Sequence, residues 1–338
     1  MCNLEKAVKV KDLSVGYRMK RGKWKVIHDS LSFSLNAGEL TSLIGLNGAG
    51  KSTLIRTLCR FQPKVSGTVE IFGRNADDYT PQEFSRMVGV VLTERTEVTG
   101  MTVRGIVSLG RQPHTGFFGT LSDNDRNIVE EAMDSVCIMH KADSYMNELS
   151  DGERQRTMIA KAIAQECPVI ILDEPTAFLD VVSRMETMEL LHRMAADHGK
   201  SILLSTHDMD NAIMYSDRLM LLSPEENVCT GTPEELVLDG SIGRFFRKSG
   251  MNFDIRSGRL SSCVQGTRVG IGGDGVKARW MSNALARNGF TPCLPSEGIL
   301  NVSCMDEEDI TIAYPDGTSA VFGNISEAVR NISGYNHR

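Results

Sequence analysis

No stretch of this 338-residue sequence approaches the roughly 20 apolar residues that cross a bilayer; runs such as 169–172 and 219–222 are strand-sized. The opening residues, Met1-Cys2-Asn3-Leu4-Glu5-Lys6, hold no apolar core, so no secretory signal is expected. Basic residues are not in excess: 37 Lys and Arg stand against 43 Asp and Glu, a net charge of −6 that argues against a nucleic-acid partner. The eight cysteines include no C-x-x-C pair, which suits reduced, packed thiols rather than a disulfide framework. Cys137 and His140 have metal-like spacing, but two ligands do not make a site. Internal repeats and low-complexity tracts are also missing. These absences leave a soluble, cytoplasmic chain of ordinary composition, long enough for one large domain and a smaller one.

What is present reads as strands alternating with helices, hence an α/β core. Val8, Val10, Leu13 and Val15 alternate in strand fashion, a basic stretch at 18–25 reads as a solvated hairpin tip, and 31–35 forms a second strand. A short apolar strand at 39–44 runs into glycines and then a helix from about 51 to 61. Helical periodicity covers 120–148, with Ile128, Val129, Ala132, Met133 and Val136 in step, and returns over about 152–165. The runs 169–172 and 201–204 look like buried parallel strands with a helix at about 182–198 between them. Beyond about 250 the texture becomes richer in glycine and serine, placing a domain boundary near 248–258.

Three segments carry chemistry. Gly45-Leu46-Asn47-Gly48-Ala49-Gly50-Lys51-Ser52-Thr53 matches G-x-x-x-x-G-K-S between a strand and a helix. Its glycines let backbone N–H groups wrap phosphate, Lys51 supplies a point charge, and the Ser52 hydroxyl suits Mg²⁺. The strand at 169–172 ends in Asp173 and Glu174, one acid to hold the metal and one to polarise an attacking water. Between them, Leu149-Ser150-Asp151-Gly152-Glu153 opens a helix, where a hydroxyl and a glycine N–H form a second anion site.

In this order and spacing the sequence resembles the ATP-binding subunits of ABC transporters, whose signature usually reads Leu-Ser-Gly-Gly-Gln. The resemblance covers about residues 5–245. It implies a P-loop cassette with a RecA-like core, an antiparallel β layer and a helical lobe at about 95–155, within a domain spanning 1–248. A small α/β accessory domain at 255–338 follows. It further implies ATP and Mg²⁺ as ligands, with Ser52, Asp173 and Glu94 near the metal, Glu174 as base and His207, in Ser205-Thr206-His207-Asp208, as the γ-phosphate sensor. Tyr17 stands where the family stacks an aromatic ring on adenine, and Asp180 in Phe178-Leu179-Asp180 where two subunits communicate. Leu149, Ser150, Asp151, Gly152 and Glu153 would act in trans, in a head-to-tail homodimer. The implied partners are a separate integral-membrane permease and an extracytoplasmic substrate-binding protein, and the implied location is the cytoplasmic face of a bacterial membrane. Gly110-Arg111-Gln112-Pro113-His114 is similar to the branch that imports iron chelates, haem and vitamin B12. The rival expectation is a non-transport cassette acting on nucleic acid or the ribosome, against which the single cassette and net charge of −6 count.

Three positions depart from the pattern. Glu94 occupies the place of a glutamine, Asp151 replaces a glycine and Glu153 a glutamine. The two signature acids are expected to face solvent or to be offset by the helix start and by Arg154 or Arg156. Gly270-Ile271-Gly272-Gly273-Asp274-Gly275 satisfies G-x-G-x-x-G, but its domain is too short for a dinucleotide fold and lacks the acidic ribose partner, so a tight turn is expected there.

Overall fold

A computed structural model describes residues 5–19, 22–92, 100–116, 119–224, 226–255, 258–262, 266–305 and 308–335. Contacts between backbone positions divide the chain into two units, Met1–Lys248 with Phe253–Arg259, and Ser249–Asn252 with Leu260–Arg338.

In the first unit, β1 (Lys6–Arg18) and β2 (Trp24–Asn36) form a long antiparallel hairpin. β3 (Leu40–Ile44) leads through the glycine loop into α1 (Lys51–Leu58). β4 (Ser66–Ile71) and β5 (Arg74–Asn75) complete an antiparallel sheet ordered β2-β1-β4-β5. After α2 (Pro81–Met87) and β6 (Val88–Val91) come the three helices α3 (Val103–Ser108), α4 (Asp123–Ser135) and α5 (Asp151–Ala164). The chain then alternates through β7 (Val169–Asp173), α6 (Val181–His198), β8 (Ser201–Thr206), α7 (Met209–Tyr215) and β9 (Arg218–Ser223). It closes with β10 (Glu226–Gly231), α8 (Pro233–Leu238) and α9 (Ser241–Arg247).

The second sheet runs β10-β9-β3-β8-β7-β6, parallel except at the β10 edge. Every residue of β3, β7 and β8 is buried, as parallel strands covered on both faces require. The apolar run of β7 is divided between two cores by the period of two. Val169 and Ile171 pack with the antiparallel sheet and α1. Ile170 and Leu172 pack with α3, α4, α5 and α6. β8 follows suit, with Leu203 on the first face and Ile202 and Leu204 on the second. The α/β architecture expected of the 1–248 region is therefore present, with a parallel sheet sandwiched between a β layer and helices.

One segment differs from its sequence reading. The helix expected over 120–148 is confined to Asp123–Ser135, after which the chain breaks into single turns at Met139–Lys141 and Met146–Glu148. Cys137 takes a left-handed φ of 55° there, and its N–H donates to Asp134 O instead of continuing the ladder.

The hairpin of β11 (Met251–Asp254) and β12 (Arg259–Ser262) holds residues of both units, and the rest of the chain belongs to the second. The elements β13 (Arg268–Gly272), α10 (Val276–Arg287), β14 (Thr291–Cys293), β15 (Leu300–Ser303), β16 (Ile310–Ala313), β17 (Ser319–Phe322) and α11 (Ile325–Tyr335) follow. Their sheet is ordered β14-β13-β15-β16-β17 over a core that includes Val269, Met281, Leu285, Ile310 and Ile332. The glycine motif ends β13. A Cβ at Gly270 would meet Asn301 Oδ1 at 2.0 Å and the Pro295 Cα at 2.7 Å, so close packing inside this unit demands glycine.

Candidate nucleotide-binding site

The glycine loop is shaped by left-handed residues and braced from the β layer. Gly48 and Gly50 adopt φ of 79° and 88°, accessible to glycine at little cost. A Cβ at Gly50 would stand 2.8 Å from Ile27 Cγ2 and 2.9 Å from His28 Nε2, so β2 presses directly on the turn. The same His28 nitrogen lies 2.6 Å from Ala49 O. Leu46, Asn47, Gly48 and Ser52 face outward, whereas Ala49 and Thr53 are buried. Lys51 is buried, and its Nζ donates to Gly45 O at 2.7 Å and Leu46 O at 3.4 Å. Burial lowers its pKa, while the charges of Glu174 and Asp173 pull the other way. That electrostatic reach ties the loop to β7, one strand beyond β8 in the sheet.

Asp173 ends β7 and is buried, accepting a hydrogen bond from Ser205 Oγ at 2.6 Å. Glu174 follows at a left-handed φ of 48°, a conformation that costs a non-glycine residue about 1–3 kcal/mol. Its N–H donates to the same Ser205 Oγ at 2.9 Å. Its Oε1 lies 3.4 Å from His207 Nδ1, beyond the end of β8. Asp208 caps α7 and pairs with Arg184 at 2.7 Å, fixing the turn that carries His207. The ends of β3, β7 and β8, neighbours in the sheet, thus present Lys51, the two acids and His207 together. Tyr17 comes from β1; its ring is half exposed, and its hydroxyl shares a short hydrogen bond with Thr53 Oγ1.

The signature residues gather elsewhere. Leu149 is buried, and Ser150 caps α5 in a reciprocal box with Glu153. Asp151 pairs with Arg154 at 3.4 Å, and Glu153 with Lys141 at 3.4 Å. The expected offset for Asp151 is therefore Arg154, while Glu153 takes Lys141 rather than Arg156. Asp180 caps α6, accepting Ser183 N–H at 3.0 Å, a bond that lowers its carboxyl pKa. Ser150, Gly152, Arg156, Phe178 and Asp180 line a cavity of about 480 Å³ whose described lining includes no phosphate-loop residue. A Cβ at Gly152 would meet its nearest neighbour, Leu179 Cδ2, at 3.4 Å, so nothing within this chain forces glycine there. Glu94 lies outside the described residues.

Ser205, His28 and Lys141 touch the motif residues, and the motifs alone do not single them out. Ser205 is opposite Asp173 in the parallel register, a pairing no local pattern encodes.

A glycine loop between strand and helix, a buried lysine, and an acid pair at the end of a nearby parallel strand define a P-loop nucleotide-binding protein. The profile of the ABC transporter family matches residues 28–177, and that of the iron ABC transporter C-terminal domain matches residues 265–333. An uncharacterised ABC transporter ATP-binding protein of Methanocaldococcus jannaschii is 35% identical over 73% of this chain and 83% of its own length. The ferric enterobactin transport ATP-binding protein FepC of Escherichia coli K12 is 35% identical over 69% of this chain and 84% of its own. Among solved structures, the cassette MJ0796 in a post-hydrolysis dimer with ADP and phosphate is similar at 25% identity and a TM-score of 0.60, covering 67% of this chain and 98% of that one. The chain belongs to the ATP-binding subunits of ABC transporters and is an ATPase. No helix among the described residues is long and apolar enough to cross a membrane.

Proposed function

We propose that this chain powers the import of an iron chelate or a related metal–organic ligand of the siderophore, haem or cobalamin kind. It would do so as a head-to-tail homodimer at the cytoplasmic face of a membrane, attached to integral-membrane permease subunits and fed by an extracytoplasmic substrate-binding protein. Support for the cargo comes from FepC, a ferric enterobactin protein, and from the match to the iron ABC transporter C-terminal domain.

The observation that carries the enzymatic part is the convergence of Lys51, Asp173, Glu174 and His207 at the ends of three adjacent strands. In this reading the backbone of Gly45, Leu46, Asn47, Gly48, Ala49 and Gly50 wraps the phosphates, with Lys51 neutralising them and Thr53 close behind. Ser52 and Asp173 offer the hard oxygen donors that Mg²⁺ prefers, and Glu94 would add a third. The bound ion would supply charge neutralisation on the phosphate oxygens. Glu174 polarises the attacking water and His207 reads the γ-phosphate. Tyr17, held to Thr53 by its hydroxyl, offers its exposed ring to adenine. Ser150 and Gly152 receive the partner subunit's triphosphate. Gly152 supports this, since a Cβ there would make only ordinary contact with Leu179 and a close approach from outside the chain explains a glycine that internal packing does not require.

Glu174→Gln tests the reading. Turnover should fall by about 10²-fold or more, the scale of a lost general base, while ATP binding persists. With ATP the variant should run as a dimer in gel filtration with light scattering. A monomer at saturating ATP would overturn the composite site.

A further inference from the structure

The hydroxyl of Ser150 is already engaged within its own chain. It accepts from Glu153 N–H at 3.3 Å and donates to Glu153 Oε2 at 3.0 Å. The same carboxylate oxygen accepts the Ser150 N–H at 2.8 Å. The other oxygen, Oε1, stands 3.4 Å from Nζ of Lys141, on the turn Met139–Lys141. Hydrogen bonds, that of the Ser150 N–H foremost, hold the Glu153 carboxyl below its ordinary pKa, so it is ionised at neutral pH. A glutamine here would make the same cap without the charge. The carboxylate is the stronger acceptor, and it sets a negative charge beside a site meant for triphosphate.

We propose that Glu153 and Lys141 form a latch on the signature serine: Glu153 holds the Ser150 hydroxyl proton in the separated cassette, and Lys141 offsets the carboxylate so that a partner's triphosphate can take that proton over. The inference rests on the reading of Ser150 as the receiver of the partner's ATP. Both residues are positioning residues that act through Ser150. The two charges then work in opposite directions. Removing that of Glu153 eases closure of the dimer. Removing that of Lys141 hinders closure, and only while Glu153 is charged. A helix cap with a surface ion pair predicts neither effect, because the cap survives Glu153→Gln and a pair this exposed contributes little to folding.

The test uses the full chain carrying Glu174→Gln and reads the ATP concentration that gives half-maximal dimer. Glu153→Gln should lower it by about five-fold, the scale of exchanging a charged hydrogen bond for a neutral one, and Lys141→Gln should raise it by a similar factor. In the Glu153→Gln background, Lys141→Gln should have no effect. With Glu174 restored, the same substitutions should move KM for ATP in the same directions while kcat changes by less than about two-fold. An ATP requirement that Glu153→Gln leaves unchanged or raises would sink the latch. So would a Lys141→Gln effect that persists once Glu153 is neutral. A Glu174→Gln parent that never dimerises would instead sink the composite-site reading, and the latch with it.

Discussion

Ser205 shows how one hydroxyl can serve two neighbouring acids. Its Oγ donates to Asp173 and accepts the N–H of Glu174, so it fixes both the buried carboxylate and the strained backbone beside it. Ser205→Ala leaves Asp173 short of a donor in a buried setting, which should cost about 1–3 kcal/mol of stability, readable in urea denaturation. The larger effect should fall on turnover. Glu174 loses the tether of its N–H, and misplacing a base by about an ångström costs on the order of 10²-fold. ATP affinity should change much less, because Lys51 donates to Gly45 O and Leu46 O within its own loop. Steady-state ATPase kinetics separate the outcomes, and a variant with raised KM and normal kcat would show that Ser205 serves binding rather than positioning.

At the scale of elements, the turn Leu109–His114 is locked to its neighbours by one buried side chain. Arg111 donates to Asp125 Oδ1 at 2.9 Å, to Glu166 Oε2 at 2.7 Å and to Ala164 O at 2.7 Å, joining α4 to the C-terminal end of α5. Asp125 in turn accepts from Ser122 Oγ at 2.6 Å, and the Ser122 bonds, ahead of Arg111, pull its pKa down to about 2. A depressed carboxyl stabilises the fold above its ordinary pKa, and that contribution fades as pH falls through the folded value. The melting midpoint of the wild type should therefore exceed that of Asp125→Asn at neutral pH, with the gap closing between about pH 4 and pH 2. A gap that stays constant to pH 2 would show that the Asn loses packing rather than charge. The elements themselves were legible wherever local and global preferences agreed. The apolar runs of β7 and β8, the glycine loop and the cap of α5 all announce themselves through short-range pattern. The break after Ser135 did not, because Val136 and Ile138 continue an apolar spacing while the left-handed Cys137 ends the helix. In sequence Arg111 carries only a subfamily mark, since its partners lie 14 and 55 residues away. For the same reason the motifs can be found in sequence, and Lys141 and His28, which touch Glu153 and Ala49 from outside them, cannot.

For the whole molecule, the second unit has its own means of folding. Its core residues, Met281, Leu285, Ile310, Ile312 and Ile332 among them, belong to a cluster that shares no member with the two cores of the first unit. The residues proposed to meet the nucleotide, from Tyr17 to His207, all precede Ser249. Met281 is fully buried on α10, and truncating it to alanine should destabilise that core by about 2–5 kcal/mol. If each core unfolds as a unit, calorimetry of Met281→Ala should show one transition moved to lower temperature and a second left in place. ATPase activity below the first transition should stay at the wild-type level. A single transition that shifts as a whole, or activity lost together with the second unit, would mean that the accessory part is required for the cassette to hold its catalytic form.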